Sequence, residues 1–177
     1  DKKQEEDFYQ LEQYVDKFHA ISEKTHEQLS RLTNKNIFTI PFWVNQNIWF
    51  YKNQKYELRK KYGFSESDYL IGSFQRDTEG NDLKSPKLIK GPDIFLDIVK
   101  KINLNEENNK IILTGKRRQY LIENFNKFGI KYKYYEMVNF ETINNLYNIL
   151  DLYLVTSRVE GGPQAIIECG LTKTPIL

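Results

Sequence analysis

The sequence predicts an α/β protein with a parallel β-sheet covered by helices on both faces. Two observations predict it. From Tyr69 onward, short apolar runs alternate regularly with amphipathic stretches of about ten residues, the pattern of βαβ units whose crossovers pack helices against a parallel sheet. A chain of 177 residues is also long enough for one domain with a sizeable core, since it buries roughly 70% of its unfolded surface.

The elements follow in order. Phe8, Leu11, Tyr14, Val15 and Phe18 recur at helical spacing and predict an amphipathic helix over 2–17. A short strand over 18–21 runs into Ser22, whose hydroxyl is placed to cap a helix over 23–32. Segments 36–42 and 48–51 read as extended around Pro41, followed by a helix over 54–62 that stops at Gly63.

The regular part comes next. It reads as strand 69–74, helix 92–102, strand 110–114, helix 117–128, strand 131–135, helix 141–150, strand 152–156, helix 163–171 and an apolar ending at 175–177. We divide the chain into residues 1–50, the end of a preceding domain with its connector, and residues 51–177, a ligand-binding domain. Because the chain opens on Asp1 and stops at Leu177, the expectation is a fragment cut before its final elements. Parallel sheets of this kind bind ligands at the carboxyl ends of their strands. The informative loops are therefore 75–91, 115–118, 136–139 and 157–162.

Composition narrows the function. Hydrophobic residues make up 40% and charged residues 28%, which is the profile of a globular protein, and no apolar run reaches membrane-spanning length. A net charge of +2 with interleaved signs gives no support to nucleic-acid binding. A single cysteine, Cys169, excludes an internal disulfide or thiol cluster and fits a reducing compartment. The expected location is cytoplasmic, with the inner face of a membrane as the peripheral alternative. His19 and His26 lack metal-ligand spacing and read as ordinary polar positions, and Cys169 reads as a small apolar packing residue.

The four loops carry a recognisable constellation. Ser157 to Leu177 reads SRVEGGPQAIIECGLTKTPIL, with Glu160 and Glu168 at an E-x7-E spacing and Pro175–Ile176 behind them. SFQRD runs from Ser73 to Asp77, KGPD from Lys90 to Asp93, and IPFWVN from Ile40 to Asn45. In order and spacing these resemble the motifs of retaining, group 1 (family 4) glycosyltransferases of GT-B fold, over roughly residues 18–177. Gln75 replaces the family's glycine, the interval from Arg76 to Lys90 is longer than its norm, and Lys173 stands where glycine is common.

The resemblance implies a Rossmann-like, nucleotide-sugar-binding domain, the C-terminal half of a GT-B fold. It implies that Glu168 accepts hydrogen bonds from the ribose diol, that Glu160 contacts the donor sugar, and that Met137 and Val138 lie in the loop that meets the nucleobase. For Met137 and Val138, packing under a strand end is the alternative. Arg76 and Lys90 are two cations placed to stabilise a departing nucleoside diphosphate, and on the same residues they also read as solvated surface charges. Gly161 and Gly162 let backbone amides approach an anion, and Pro163 suits a first helical turn. Gly115, Lys116, Arg117 and Arg118 form a basic helix start that suits either an anionic ligand group or solvent.

The function expected is sugar transfer from a nucleotide donor to an acceptor with anomeric retention, in polysaccharide or glycoconjugate biosynthesis. A nucleotide-sugar epimerase of the same fold and a non-catalytic sugar- or nucleotide-binding module are the alternatives. No Asp-x-Asp pair occurs, so no metal or other cofactor is expected. The implied partners are the donor, an acceptor that is a saccharide, lipid-linked glycan or protein, and an acceptor-binding domain preceding Asp1. On that reading the 177 residues alone bind nucleotide and transfer nothing.

Overall fold

The structure is a computed structural model that describes residues 2–103 and 108–177. It divides into two compact units, residues 1–43 with 160–164, and residues 44–159 with 165–177.

In the first unit, helix α1 (Lys2–Glu12) leads to strand β1 (Phe18–Ala20), helix α2 (Glu23–Ser30) and strand β2 (Ile37–Thr39). β1 and β2 pair in parallel, Phe18 opposite Ile37. α1 is shorter than the apolar spacing predicts. The amides of Tyr14 and Val15 bond back to Leu11 and Glu12 in tight turns, and Phe18 leaves the helix to stack on Phe8 from β1. Ser22 caps α2 as expected, its Oγ accepting from the Thr25 amide at 3.3 Å. His19 and His26 bond to Ile40 O and Thr39 Oγ1, as structural polar positions do.

The second unit holds the sheet. Helix α3 (Lys55–Lys61) precedes strand β3 (Tyr69–Ser73); strands β4 (Thr78–Glu79) and β5 (Ser85–Pro86) form a small antiparallel hairpin; a 3-10 turn (Leu88–Lys90) enters helix α4 (Pro92–Asn103). Then come β6 (Asn109–Thr114), α5 (Gln119–Phe128), β7 (Tyr132–Tyr135), α6 (Phe140–Ile149), β8 (Leu152–Tyr153) and α7 (Gln164–Thr172). The parallel order is β7-β6-β3-β8, and Ile176 bridges to Tyr153 beyond β8.

Strand alternation explains the two-sided core. Leu70, Ile112 and Tyr153 face one way, with Leu58 of α3, Leu146 and Ile149 of α6 and Cys169 of α7. Ile71, Ile111 and Leu113 face the other way, with Phe95 and Val99 of α4 and Leu121 and Phe125 of α5. A strand buried on both faces is a continuous apolar run, as Ile111 to Leu113 is.

One expected extended segment is not extended. Over residues 48–51 the amides of Ile48 and Trp49 both bond to Asn45 O, closing a turn that drives Trp49 into the core against Tyr147 at 5.6 Å. Its backbone polar groups are met by side chains of α6: Phe50 N donates to Asn144 Oδ1 at 3.2 Å, Lys52 N donates to Asn148 Oδ1 at 2.6 Å, and Asn148 Nδ2 donates to Phe50 O at 3.0 Å. No helix is long and apolar enough to cross a membrane among the described residues.

Candidate functional site

The chain-order strands β3, β6 and β7 build outward in one direction, and β8 then returns to the other side of β3. The crevice of such a sheet opens where the order reverses, outside the carboxyl ends of β3 and β8. The segments leaving those ends are held to each other. Gln75 donates through Nε2 to Lys90 O at 3.0 Å and accepts through Oε1 from Ser157 Oγ at 3.0 Å. Thr156 Oγ1 also donates to Lys90 O, at 3.3 Å. Gly91 has a φ of 61°, and a Cβ there would lie 1.9 Å from Thr156 O, so only glycine permits this approach.

Gln75, which the sequence marks only as a departure from glycine, is thus a bridge between the two segments. The long interval from Arg76 to Lys90 also has a cause: it contains the β4–β5 hairpin and the 3-10 turn. Arg158 reinforces the same region, binding Asp93 with both terminal nitrogens at 2.9 and 2.6 Å and Leu88 O at 2.6 Å. Its guanidinium holds the Asp93 carboxyl below the usual range.

The predicted site residues fall as follows. Arg76 is exposed between β3 and the hairpin, and Lys90 closes the 3-10 turn. Met137 is 67% exposed after β7, which removes it from the core, while Val138 beside it is half-buried. Asn139 caps α6, accepting from Thr142 N at 2.8 Å. These residues and Glu168 belong to the second unit; Glu160, Gly161, Gly162 and Pro163 belong to the first. Gly162 has a φ of 146°, a backbone region open essentially to glycine alone, and Pro163 stands immediately before α7.

Glu168 is half-buried on α7, and its Oε2 accepts a hydrogen bond from Tyr147 Oη at 2.7 Å. Burial raises its carboxyl above the ordinary value, and the Tyr147 hydroxyl partly offsets this. Tyr147 in turn packs its ring 4.8 Å from that of Phe74, the residue that follows β3.

The basic run at 115–118 is a correction. α5 begins at Gln119, and Arg117 bends away with a φ of 59°, its Nη1 donating to Gly80 O at 3.1 Å. Arg118 is fully buried and faces neither ligand nor solvent. Its Nε lies 2.8 Å from Asp77 Oδ2, and its Nη2 donates to Ser73 Oγ at 3.2 Å. The Tyr120 amide donates to Thr78 Oγ1 at 2.8 Å, and Thr78 Oγ1 donates to Asp77 Oδ1 at 2.6 Å, so the protein's own carboxylate sits at the positive end of α5. Burial pushes the Asp77 carboxyl up despite the facing guanidinium.

Cys169 is buried, as its place on α7 suggests, and burial pushes its thiol up to about 12. Among the described residues no three His, Cys, Asp or Glu side chains group as a metal site.

No protein-family model matches the chain, and no curated protein matches it in sequence. Solved structures do. HepE from Anabaena, in complex with UDP and glucose, aligns with a TM-score of 0.71 at 18% identity over 92% of this chain and 44% of its own. Sucrose-phosphate synthase from Thermosynechococcus elongatus aligns at 0.72 and 14% identity, over 92% and 40%. The C-terminal domain of a group 1 family glycosyl transferase (LpcC) from Francisella tularensis aligns at 0.59 and 14%, over 76% and 69%. The chain spans less than half the length of the first two. At these identities the likeness is one of fold, and that fold is the Rossmann-like C-terminal half of GT-B glycosyltransferases.

Proposed function

We propose that the chain is the donor-binding part of a glycosyltransferase that takes a sugar from a nucleoside diphosphate and transfers it, with retention, to an acceptor held elsewhere in the whole protein. One observation carries the reading: the expected donor groups of the second unit gather at one end of its sheet. Arg76 and Lys90 lie on the segment after β3, Met137 and Val138 follow β7, and Glu168 is tied through Tyr147 to Phe74 at the end of β3. The fold likeness and the UDP and glucose held by HepE support the same reading.

On this reading Glu168 takes the ribose diol. Arg76 and Lys90 face the diphosphate oxygens, which gain charge as the glycosidic bond breaks, so fixed cations there favour the transition state over the ground state. Glu160 contacts the sugar. No metal takes part in holding the donor.

A thermal-shift series with UDP, GDP, ADP and CMP tests the proposal. A ligand at 100 times its Kd stabilises by about 2.7 kcal/mol, roughly 5 to 10 °C for a chain of this size. One nucleotide is expected to give such a shift, unchanged by EDTA. No shift with any of the four overturns the reading, and a shift abolished by EDTA overturns its metal independence.

A further inference from the structure

Tyr147 has no part in any motif of the sequence, yet it is among the most confined side chains of the fold. It is 1% exposed on α6, with its ring 4.8 Å from Phe74, 5.4 Å from Tyr153 and 5.6 Å from Trp49. Its backbone carbonyl accepts from Thr174 Oγ1 at 2.8 Å. A ring packed on three sides cannot change rotamer, so its hydroxyl is a fixed point. That hydroxyl donates to Glu168 Oε2. Burial holds the Tyr147 proton well above the neutral range, so the group is a donor at every working pH.

A glutamate on a helix has three rotatable bonds, and ordering such a side chain only when ligand arrives costs rotamer entropy. Fixing it beforehand transfers that cost to folding. We infer that Tyr147 is a positioning residue for nucleotide binding: by holding Oε2 of Glu168 it aims Oε1 at the ribose diol of a nucleoside diphosphate. The inference rests on the donor-binding reading of Glu168 given above.

The titratable groups facing Glu168 and Tyr147 are Tyr153 of β8 and Cys169 of α7, and burial keeps both protonated through the neutral range. The diphosphate's own second ionisation, at about pH 6, is shared by the dideoxy counterpart, so the difference in acid limb between the two ligands reports Glu168. Removing the Tyr147 hydroxyl takes away a hydrogen bond that lowers this carboxyl, so the limb moves to higher pH.

The test is calorimetry on the 177-residue chain with UDP, GDP and ADP, each beside its 2′,3′-dideoxy counterpart, for the parent, Tyr147→Phe, Glu168→Gln and the double variant. For the diphosphate that binds best, Tyr147→Phe is expected to weaken binding roughly three- to ten-fold, the range of one ordinary hydrogen bond, because the variant misplaces Glu168 without removing its carboxylate. It should raise the pH midpoint of binding, leave the dideoxy counterpart unchanged, and add nothing to Glu168→Gln. An equal loss for the dideoxy ligand, a loss that persists in the Glu168→Gln background, or no loss at all overturns the positioning role while leaving the ribose reading intact. No binding by any diphosphate, or binding that Glu168→Gln does not weaken, overturns the ribose reading and the positioning role together.

Discussion

Glu168 works against its surroundings. Half-buried, its carboxyl is raised above the ordinary glutamate value, so the folded chain holds that proton more tightly than the unfolded chain does. The sign follows: stability from this group is fully present below the unfolded value and is lost as pH rises through the folded one. On the proposed reading ligand affinity runs the other way, because there the ribose diol donates to the carboxylate and not to the acid. Glu168→Gln should therefore flatten both slopes, measured by melting and calorimetry over about pH 4 to 8. At neutral pH it should weaken nucleoside diphosphate roughly ten-fold or more, an energy of at least about 1.4 kcal/mol. Glu160→Gln is the contrast, expected to spare the free diphosphate and weaken the intact nucleotide sugar; equal and negligible effects from both would make the glutamates surface residues at a coincidental spacing. The spacing of these two residues is visible in sequence because it is local. Tyr147 and Arg118 are not, since each is defined by a partner on another element, Glu168 for the first and Asp77 for the second. Arg118 looks solvated in the GKRR run until the fold closes the Asp77 carboxylate over it, while Lys116 beside it stays exposed.

At the scale of elements, helices and long strands were legible and the short connections were not. Leu96, Val99, Leu121 and Phe125 repeat at helical spacing and bury one face of α4 and α5, which is what the periodicity measures. Two-residue strands such as β4 and β5 give no periodicity at all. Residues 48–51 failed for another reason, because their apolar content suited a strand while their hydrogen bonds came from asparagine side chains on α6. Asn148 is buried and serves this segment as both acceptor and donor. Asn148→Ala strands the Lys52 amide and the Phe50 carbonyl, each costing about 1–3 kcal/mol if it stays buried. With roughly 2–4 °C per kcal/mol for a chain of this size, the melting temperature should fall by roughly 4 to 24 °C. Asn148→Asp keeps the acceptor and should fall by less. A melting temperature within a degree of the parent for Asn148→Ala would mean that water replaces both partners.

At the scale of the molecule, the fold class was legible because alternation of strand and helix is a property of the whole second unit and survives errors at every boundary. The sheet order was not legible, since nothing in the sequence says that β8 returns past β3. Yet that return makes the crevice, and the segment carrying Arg76 and Lys90 leaves the strand beside it. The proposal gives each a charge to stabilise in the transition state, so alanine at either position, in a protein that carries the acceptor-binding half as well, should lower turnover by roughly 10² to 10³, as removal of one oxyanion donor does. Ground-state affinity for the nucleotide sugar should change far less, because the charge they meet is largest only as the bond breaks. The two positions are not equivalent in their settings. Lys90 lies where its own carbonyl is fixed by Gln75 and Thr156, whereas Arg76 leaves the strand exposed beside the hairpin. A split result is informative: loss at Lys90→Ala with near-normal turnover at Arg76→Ala would assign diphosphate stabilisation to Lys90 and return Arg76 to solvent. The 177 residues alone should bind the donor and form no transfer product, since a GT-B cleft has two walls and the chain covers 44% of HepE. Incubating them with the nucleotide sugar selected by thermal shift and following release of diphosphate in the presence of acceptor mixtures checks this, and transfer by the chain itself would mean that the acceptor is held within these residues.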